Sequence, residues 1–194
     1  MNPIQFVPSG GVSMSEIQAA GSDDGFFGGD DLSPHVLRGA YGRFPSGVAA
    51  VCAVIDGEPA GIAASSFVSV SLEPALVSVC VALTSTTWPL LRRAQSLGVS
   101  VLADAHASTA RALASQVPDR FAEIDWVRDS SGAVFIAGAA LWVNCSIYEQ
   151  VRAGDHEIAV LAVNRIKMHS SVSPIVFHDS QFHRMARSGP YPSS

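Results

Sequence analysis

Four serines crowd the stretch Gly61-Ile62-Ala63-Ala64-Ser65-Ser66-Phe67-Val68-Ser69-Val70-Ser71. If Ser65 to Ser71 is one extended strand, alternation puts Ser65, Ser69 and Ser71 on one face. Hydroxyls and backbone amides on a narrow surface suit a planar polar ligand with a hydroxylated tail. An edge strand carrying solvated serines fits the same residues. A second group, Thr84-Ser85-Thr86-Thr87-Trp88-Pro89, sets hydroxyl side chains just ahead of an expected helix. The free amides and positive dipole of a helix start accept phosphate, although Ser and Thr also serve there as plain caps. The third group is Arg152-Ala153-Gly154-Asp155-His156-Glu157. Gly-Asp marks a tight turn, and a histidine directly after it projects at a rim. Such a histidine can be a general acid, a stacking platform or a polar turn residue.

Other chemistries find little footing. His35, His106, His169, His178 and His183 form no i, i+4 pair of the zinc-protease type. Cys52, Cys80 and Cys145 lie far apart in apolar runs, so no metal site is expected and all three read as inert buried thiols. No Gly-x-Ser-x-Gly elbow is present. A hydrolase using Ser65 or Ser66 with His156 as base is conceivable, but no spacing recommends it. The net charge is −5 and no basic stripe occurs, which argues against nucleic-acid binding. No apolar run reaches the roughly 18 residues of a membrane-spanning helix. The N-terminus has no signal-peptide pattern, so a cytoplasmic protein is expected. Charged residues make up only 15% of the chain, a hint of surface covered by a partner subunit.

The elements that must carry these groups are mostly strands. Residues 1–30 are rich in Gly, Ser and Asp without apolar period, and read as a disordered tail on which Phe26 and Phe27 could still dock. Residues 186–194 read as a second tail, leaving one domain over 31–185. Ser33-Pro34 starts a short helix through Tyr41, stopped by Pro45. Strands are expected at Gly47–Val54, Gly61–Val70, Ala75–Ala82, Leu97–Leu102, Ala139–Val151, Glu157–Met168, Ile175–Phe177 and Gln181–Arg184. Asp56-Gly57 is a hairpin turn signal. Helices are expected at Thr86–Gln95 and Ala105–Gln116. They do not alternate with the strands one for one, as a doubly wound parallel sheet requires. No Gly-x-Gly-x-x-Gly follows a strand. The pattern is a mainly β (α+β) chain: an antiparallel Greek-key barrel with short peripheral helices.

Taken in order, the motifs resemble those of the flavin reductase family with the split β-barrel, FMN-binding fold. Phe44-Pro45-Ser46-Gly47-Val48 is similar to the family's opening segment. Gly61 to Leu72 with Glu73-Pro74-Ala75-Leu76-Val77 is similar to its central flavin-binding stretch. Ser85-Thr86-Thr87-Trp88 resembles its phosphate-side loop. Asp119-Arg120-Phe121-Ala122 with Asp125-Trp126, then Gly138-Ala139-Ala140 through Cys145 and Gly154-Asp155-His156, complete the series. The resemblance spans about Asp31 to Met185. It implies an NAD(P)H-dependent reductase that reduces FMN or FAD and releases it to a separate monooxygenase or halogenase, and a twofold homodimer. Pro45, Ser46, Gly47 and Val48, with Ala63, Ala64, Ser65 and Ser66, are then expected to line the isoalloxazine and ribityl chain. Ser69, Val70 and Ser71 lie along the flavin, and Ala82 borders it. Ser85, Thr86 and Thr87 hold phosphate, with Phe121 nearby. Gly154, Asp155 and His156 meet the nicotinamide of NADH or NADPH, His156 orienting it.

The chain departs from the family pattern twice. Ala63 stands where the family usually has Thr, which removes one side-chain hydrogen bond to the ring. His178-Asp179-Ser180-Gln181-Phe182 stands where His-x-Gly is common, so that turn must form without glycine. Ring stacking and orientation require no strong acid or base, in keeping with a site of Ser, Ala, Gly and one His. A non-enzymatic flavin-binding or electron-storage protein on the same fold is the alternative.

Overall fold

A computed structural model describes residues 26–185. Most of the expected N-terminal tail, and all of the C-terminal one, fall outside the described residues. Helix α1 (Pro34–Tyr41) starts as expected, with Ser33 Oγ accepting from the Val36 amide at 3.3 Å. It stops at Gly42, three residues before Pro45. The strands are β1 (Ser46–Gly47), β2 (Ala49–Ile55), β3 (Glu58–Ala64), β4 (Val68–Leu72), β5 (Ala75–Ala82), β6 (Leu97–Val101), β7 (Trp126–Arg128), β8 (Val134–Ile136), β9 (Leu141–Ala153), β10 (His156–Met168), β11 (Ile175–His178) and β12 (Gln181–Arg184). Two further helices are α2 (Trp88–Leu91) and α3 (Ala107–Ala114).

Seven strands form one antiparallel sheet in the order β3-β2-β6-β9-β10-β5-β4. Its first and last strands are consecutive in the chain, so the sheet curls back on itself and residues 65–67 cross the gap. Ser66 fastens that seam. Its Oγ accepts from the Cys80 amide at 2.8 Å and donates to the Cys80 carbonyl at 3.2 Å. The barrel interior is packed with Val51, Val79, Leu97, Val99 and Leu161. β11 pairs with both β1 and β12 in a smaller sheet.

Strand β2 is buried on both faces, which its alanine-rich sequence permits. One face looks into the barrel. The other joins a second core with Leu102, Leu113, Phe121, Val134 and Ile136, beneath α3 and the β7–β8 hairpin. That hairpin lies so close over β6 that a Cβ on Gly98 would sit 2.0 Å from the Val134 carbonyl oxygen. Its turn is tied down by Asp129, whose carboxylate accepts from Ser131 N and Oγ, Ala133 N, Asn144 and Arg165.

Several expectations need correction. Gly61–Val70 is two strands, because the chain must leave one edge of the sheet and enter the other. A register shift between Ser69 and Ser71 pairs Ser69 with Val77 and Ser71 with Leu76. Cross-strand partners share a face and Val77 and Leu76 alternate, so Ser69 and Ser71 point to opposite faces. The shared serine face does not exist. The expected helix Thr86–Gln95 is only one turn long, and the one at Ala105–Gln116 is trimmed to Ala107–Ala114. The β7–β8 hairpin was not foreseen. The glycine-free turn forms with Asp179 at φ 49° and Ser180 at φ 61°, both left-handed, in place of the glycine that favours that region.

Candidate functional site

Three segments converge on the end of β5. Ala82 pairs with His156, and beyond it Leu83 N donates to the Asp155 carbonyl at 3.0 Å. The Gly154-Asp155 turn therefore lies beside the start of the 83–87 loop. Gly154 supplies that turn's left-handed position at φ 62°. Within the loop, Ser85 N donates to Ala82 O at 2.9 Å and Ser85 Oγ accepts from Trp88 N at 3.1 Å. Ser85 thus holds the first amide of the one-turn helix, in line with the plain capping role of this segment.

The third segment is Asp119-Arg120-Phe121. Asp119 Oδ1 accepts from the Phe121 amide at 3.0 Å, which fixes the local turn. Phe121 is buried in the second core, and its Cζ fills the place a side chain at Gly61 would take. Anchored on both sides, Arg120 reaches across the barrel end. One terminal nitrogen donates to Thr87 Oγ1 at 3.0 Å, Gly61 O at 3.3 Å and Leu113 O at 3.5 Å. Partial burial lowers the guanidinium's affinity for its proton, but arginine stays charged in proteins. Arg120 stands within the Asp119-Arg120-Phe121-Ala122 motif, which by itself gives it no role. Apart from Leu113, its partners lie 33 and 59 residues away, so no local spacing could have pointed to it.

His156 is poised on the same rim. Its side chain is 12% exposed and its Nδ1 lies 2.7 Å from Asp155 Oδ1, whose own side chain is 73% exposed. The hydrogen bond from His156 lowers the Asp155 pKa, chiefly by stabilising the carboxylate. With Nδ1 engaged, Nε2 is the ring nitrogen left to meet a ligand.

The remaining expected site residues divide by burial. Val48, Ala64, Ala82 and Phe121 are buried hydrophobic side chains. What they offer a ligand is chiefly backbone. Ser66 spends its hydroxyl on Cys80, so it also contributes mainly backbone, and a hydrolase built on it lacks a base: among the described residues no histidine bonds to it. Ser65 is half-buried at the end of β3, while Ser69 and Val70 are exposed. Pro45, Ser46 and Gly47 lead into β2 at the end where Ala49 pairs with Ala64, and so adjoin Ala63 to Ser65. The Ala63 methyl offers no side-chain donor at that position.

A model of the flavin reductase like domain matches residues 41–186. The chain belongs to this family. It is 32% identical over 169 residues to the reductase subunit HsaB of a flavin-dependent monooxygenase of Rhodococcus jostii, covering 87% of this chain and 85% of that one. It is 34% identical over 148 residues to a flavin reductase of Pseudomonas putida, covering 76% and 87%. Among solved structures, SgcE6 of Streptomyces globisporus, an NADH:FAD oxidoreductase in complex with NAD and FAD fragments, superposes with a TM-score of 0.78 at 34% identity over 83% of this chain and 98% of that one. BorF, the flavin reductase component of a bacterial two-component tryptophan halogenase, gives 0.73 at 31% identity over 80% and 100%.

A flavin reductase must hold a phosphate-bearing ligand, and the donor set here fits one. Ser85 Oγ and Thr87 Oγ1 each accept a hydrogen bond from the protein. Their O–H hydrogens are what remains to donate, and Arg120 adds a fork of N–H groups. No cluster of three or more metal-ligating side chains occurs among the described residues. No helix among them is long and apolar enough to cross a membrane.

Proposed function

We propose that this chain is an NAD(P)H:flavin oxidoreductase that reduces FMN or FAD and hands the reduced flavin to a separate monooxygenase or halogenase. The observation that carries the reading is the meeting of Ser85–Thr87, Arg120 and His156 around the Ala82–His156 pair. Bound side by side, nicotinamide and flavin supply the hydride chemistry between themselves. The protein's part is to seat and orient them. Ser85, Thr86, Thr87 and Arg120 hold the flavin's phosphate. The backbone of Ala63 to Ser66, with Pro45 to Val48 behind it, borders the ring. His156, its tautomer set by Asp155, presents Nε2 to the nicotinamide carboxamide. No group here must move a proton in the hydride step.

We place the site in a homodimer. The terminal strand β4 exposes Val68, Val70 and Leu72, and the long β9 arm exposes Tyr148 and Val151. Exposed apolar strand surface of this kind calls for a cover, and a second copy provides it beside the flavin-binding segments. We further infer a cytoplasmic location for the reaction.

The test is nicotinamide oxidation by the purified chain with and without FMN and FAD. Turnover that requires added flavin is expected. Flavin binding without turnover would make the protein a flavin carrier, and indifference to flavin would sink the reading. Light scattering at micromolar concentration should give the dimer mass.

A further inference from the structure

We infer that Glu157 is a positioning residue for the flavin-phosphate loop, acting through the buried indole of Trp88; this rests on the flavin reductase reading above. Trp88 directly follows Thr87 and opens α2, a helix of four residues. One helical turn cannot fix its own orientation, since nucleation is unfavourable without outside contacts. Something else must hold the loop.

Trp88 does so at two points. Its amide is held by Ser85 Oγ. Trp88 is 4% exposed and packs in the barrel core with Leu91. The indole Nε1–H donates to Glu157 Oε1 at 2.6 Å, and Gln150 Nε2 donates to the same oxygen at 2.6 Å. A buried indole N–H without an acceptor is costly, so this bond selects the ring's position. Glu157 is itself fixed, paired with Val81 on one side and Arg152 on the other. It adjoins His156, whose side chain leaves the strand on the opposite face. One residue thus sets the distance between the phosphate loop and the nicotinamide-side histidine while touching neither ligand.

The experiment compares Glu157→Leu, Glu157→Gln and Trp88→Phe by flavin titration, steady-state kinetics and thermal melting. Glu157→Leu should raise flavin Kd and flavin KM about five- to thirtyfold, with kcat at saturating flavin close to wild type. Glu157→Gln keeps an acceptor oxygen for the indole and should restore tight flavin binding. Trp88→Phe, which keeps the ring's bulk but not the donor, should reproduce the Leu defect. Combining it with Glu157→Leu should add little. An unchanged flavin Kd in folded Glu157→Leu overturns the inference. So does a Gln variant as impaired as Leu. If Glu157→Leu does not fold, Trp88→Phe decides: folded with wild-type flavin affinity, it overturns the inference. A wild-type chain that binds flavin but does not oxidise NADH fails the underlying reading instead, and leaves the binding comparison to judge Glu157.

Discussion

Arg120→Ala should weaken FMN binding by roughly thirtyfold while riboflavin, which has the same ring and ribityl chain but no phosphate, loses little. The figure follows from the contact geometry. A hydrogen bond to a charged group contributes about 1.5–3 kcal/mol net. Arg120 is only partly buried, and solvent screening places it near the lower half, about 2 kcal/mol or roughly thirtyfold in affinity. The substitution also removes the bonds to Gly61 O and Leu113 O, at 3.3 and 3.5 Å from one shared nitrogen. That loss loosens the fold equally for both ligands and cancels in their ratio. The assay is a fluorescence titration with FMN and riboflavin at fixed ionic strength, on wild type, Arg120→Ala and Arg120→Lys. Lysine keeps the charge without the fork and should recover part of the FMN preference. Added salt should erode that preference in the wild type. Equal loss of FMN and riboflavin affinity would refute the reasoning and make Arg120 a purely structural strut.

Two further outcomes test the rest of the account. His156→Ala should lower kcat/KM for NADH about five- to thirtyfold, by loss of one orienting hydrogen bond, with flavin affinity unchanged; complete inactivity of the folded variant would demand a proton-transfer role. Gly98→Ala must push the β7–β8 hairpin off the barrel, since even the nearest tolerable contact exceeds the 2.0 Å available. A loss of about 3 kcal/mol or failure to fold is expected in urea melts, and near-wild-type stability would show that the hairpin yields freely.

Much of the strand framework was legible because its signals are local. Ala75–Ala82 and Gln181–Arg184 were read to the residue, and Asp56-Gly57 turns the first hairpin with φ 52° and 91°. The β7–β8 hairpin escaped because each strand is three residues long, too short for alternation to register. The break after Ala64 escaped for a different reason. Ala63 to Val70 is uniformly compatible with a strand, and only the closure of the sheet forces the chain to cross there. The site divides the same way. Ser85–Thr87 and His156 announce themselves as a cap and a turn. Arg120, Trp88 and Glu157 matter through contacts spanning 33 to 69 residues, which the order of residues does not display. Val48, Ala64 and Phe121 carried the right motif, but its pattern does not say that their side chains turn inward.

The seam at residues 65–67 has a bearing on how the protein comes into being. Three of the sheet's six strand pairings, β5 with β10, β2 with β6 and β6 with β9, join segments distant along the chain. High contact order makes for slow folding, as loop entropy must be surrendered before these contacts form. During synthesis from the N-terminus, β5 has β4 on one side and an open edge on the other until β10 has been made. The site proposed for phosphate and nicotinamide, built around the Ala82–His156 pair, is not assembled before that moment. Ligand can therefore reward only the finished chain, and free flavin in the cell acts by mass action as a late-stage stabiliser of completed molecules and not as a template for nascent ones.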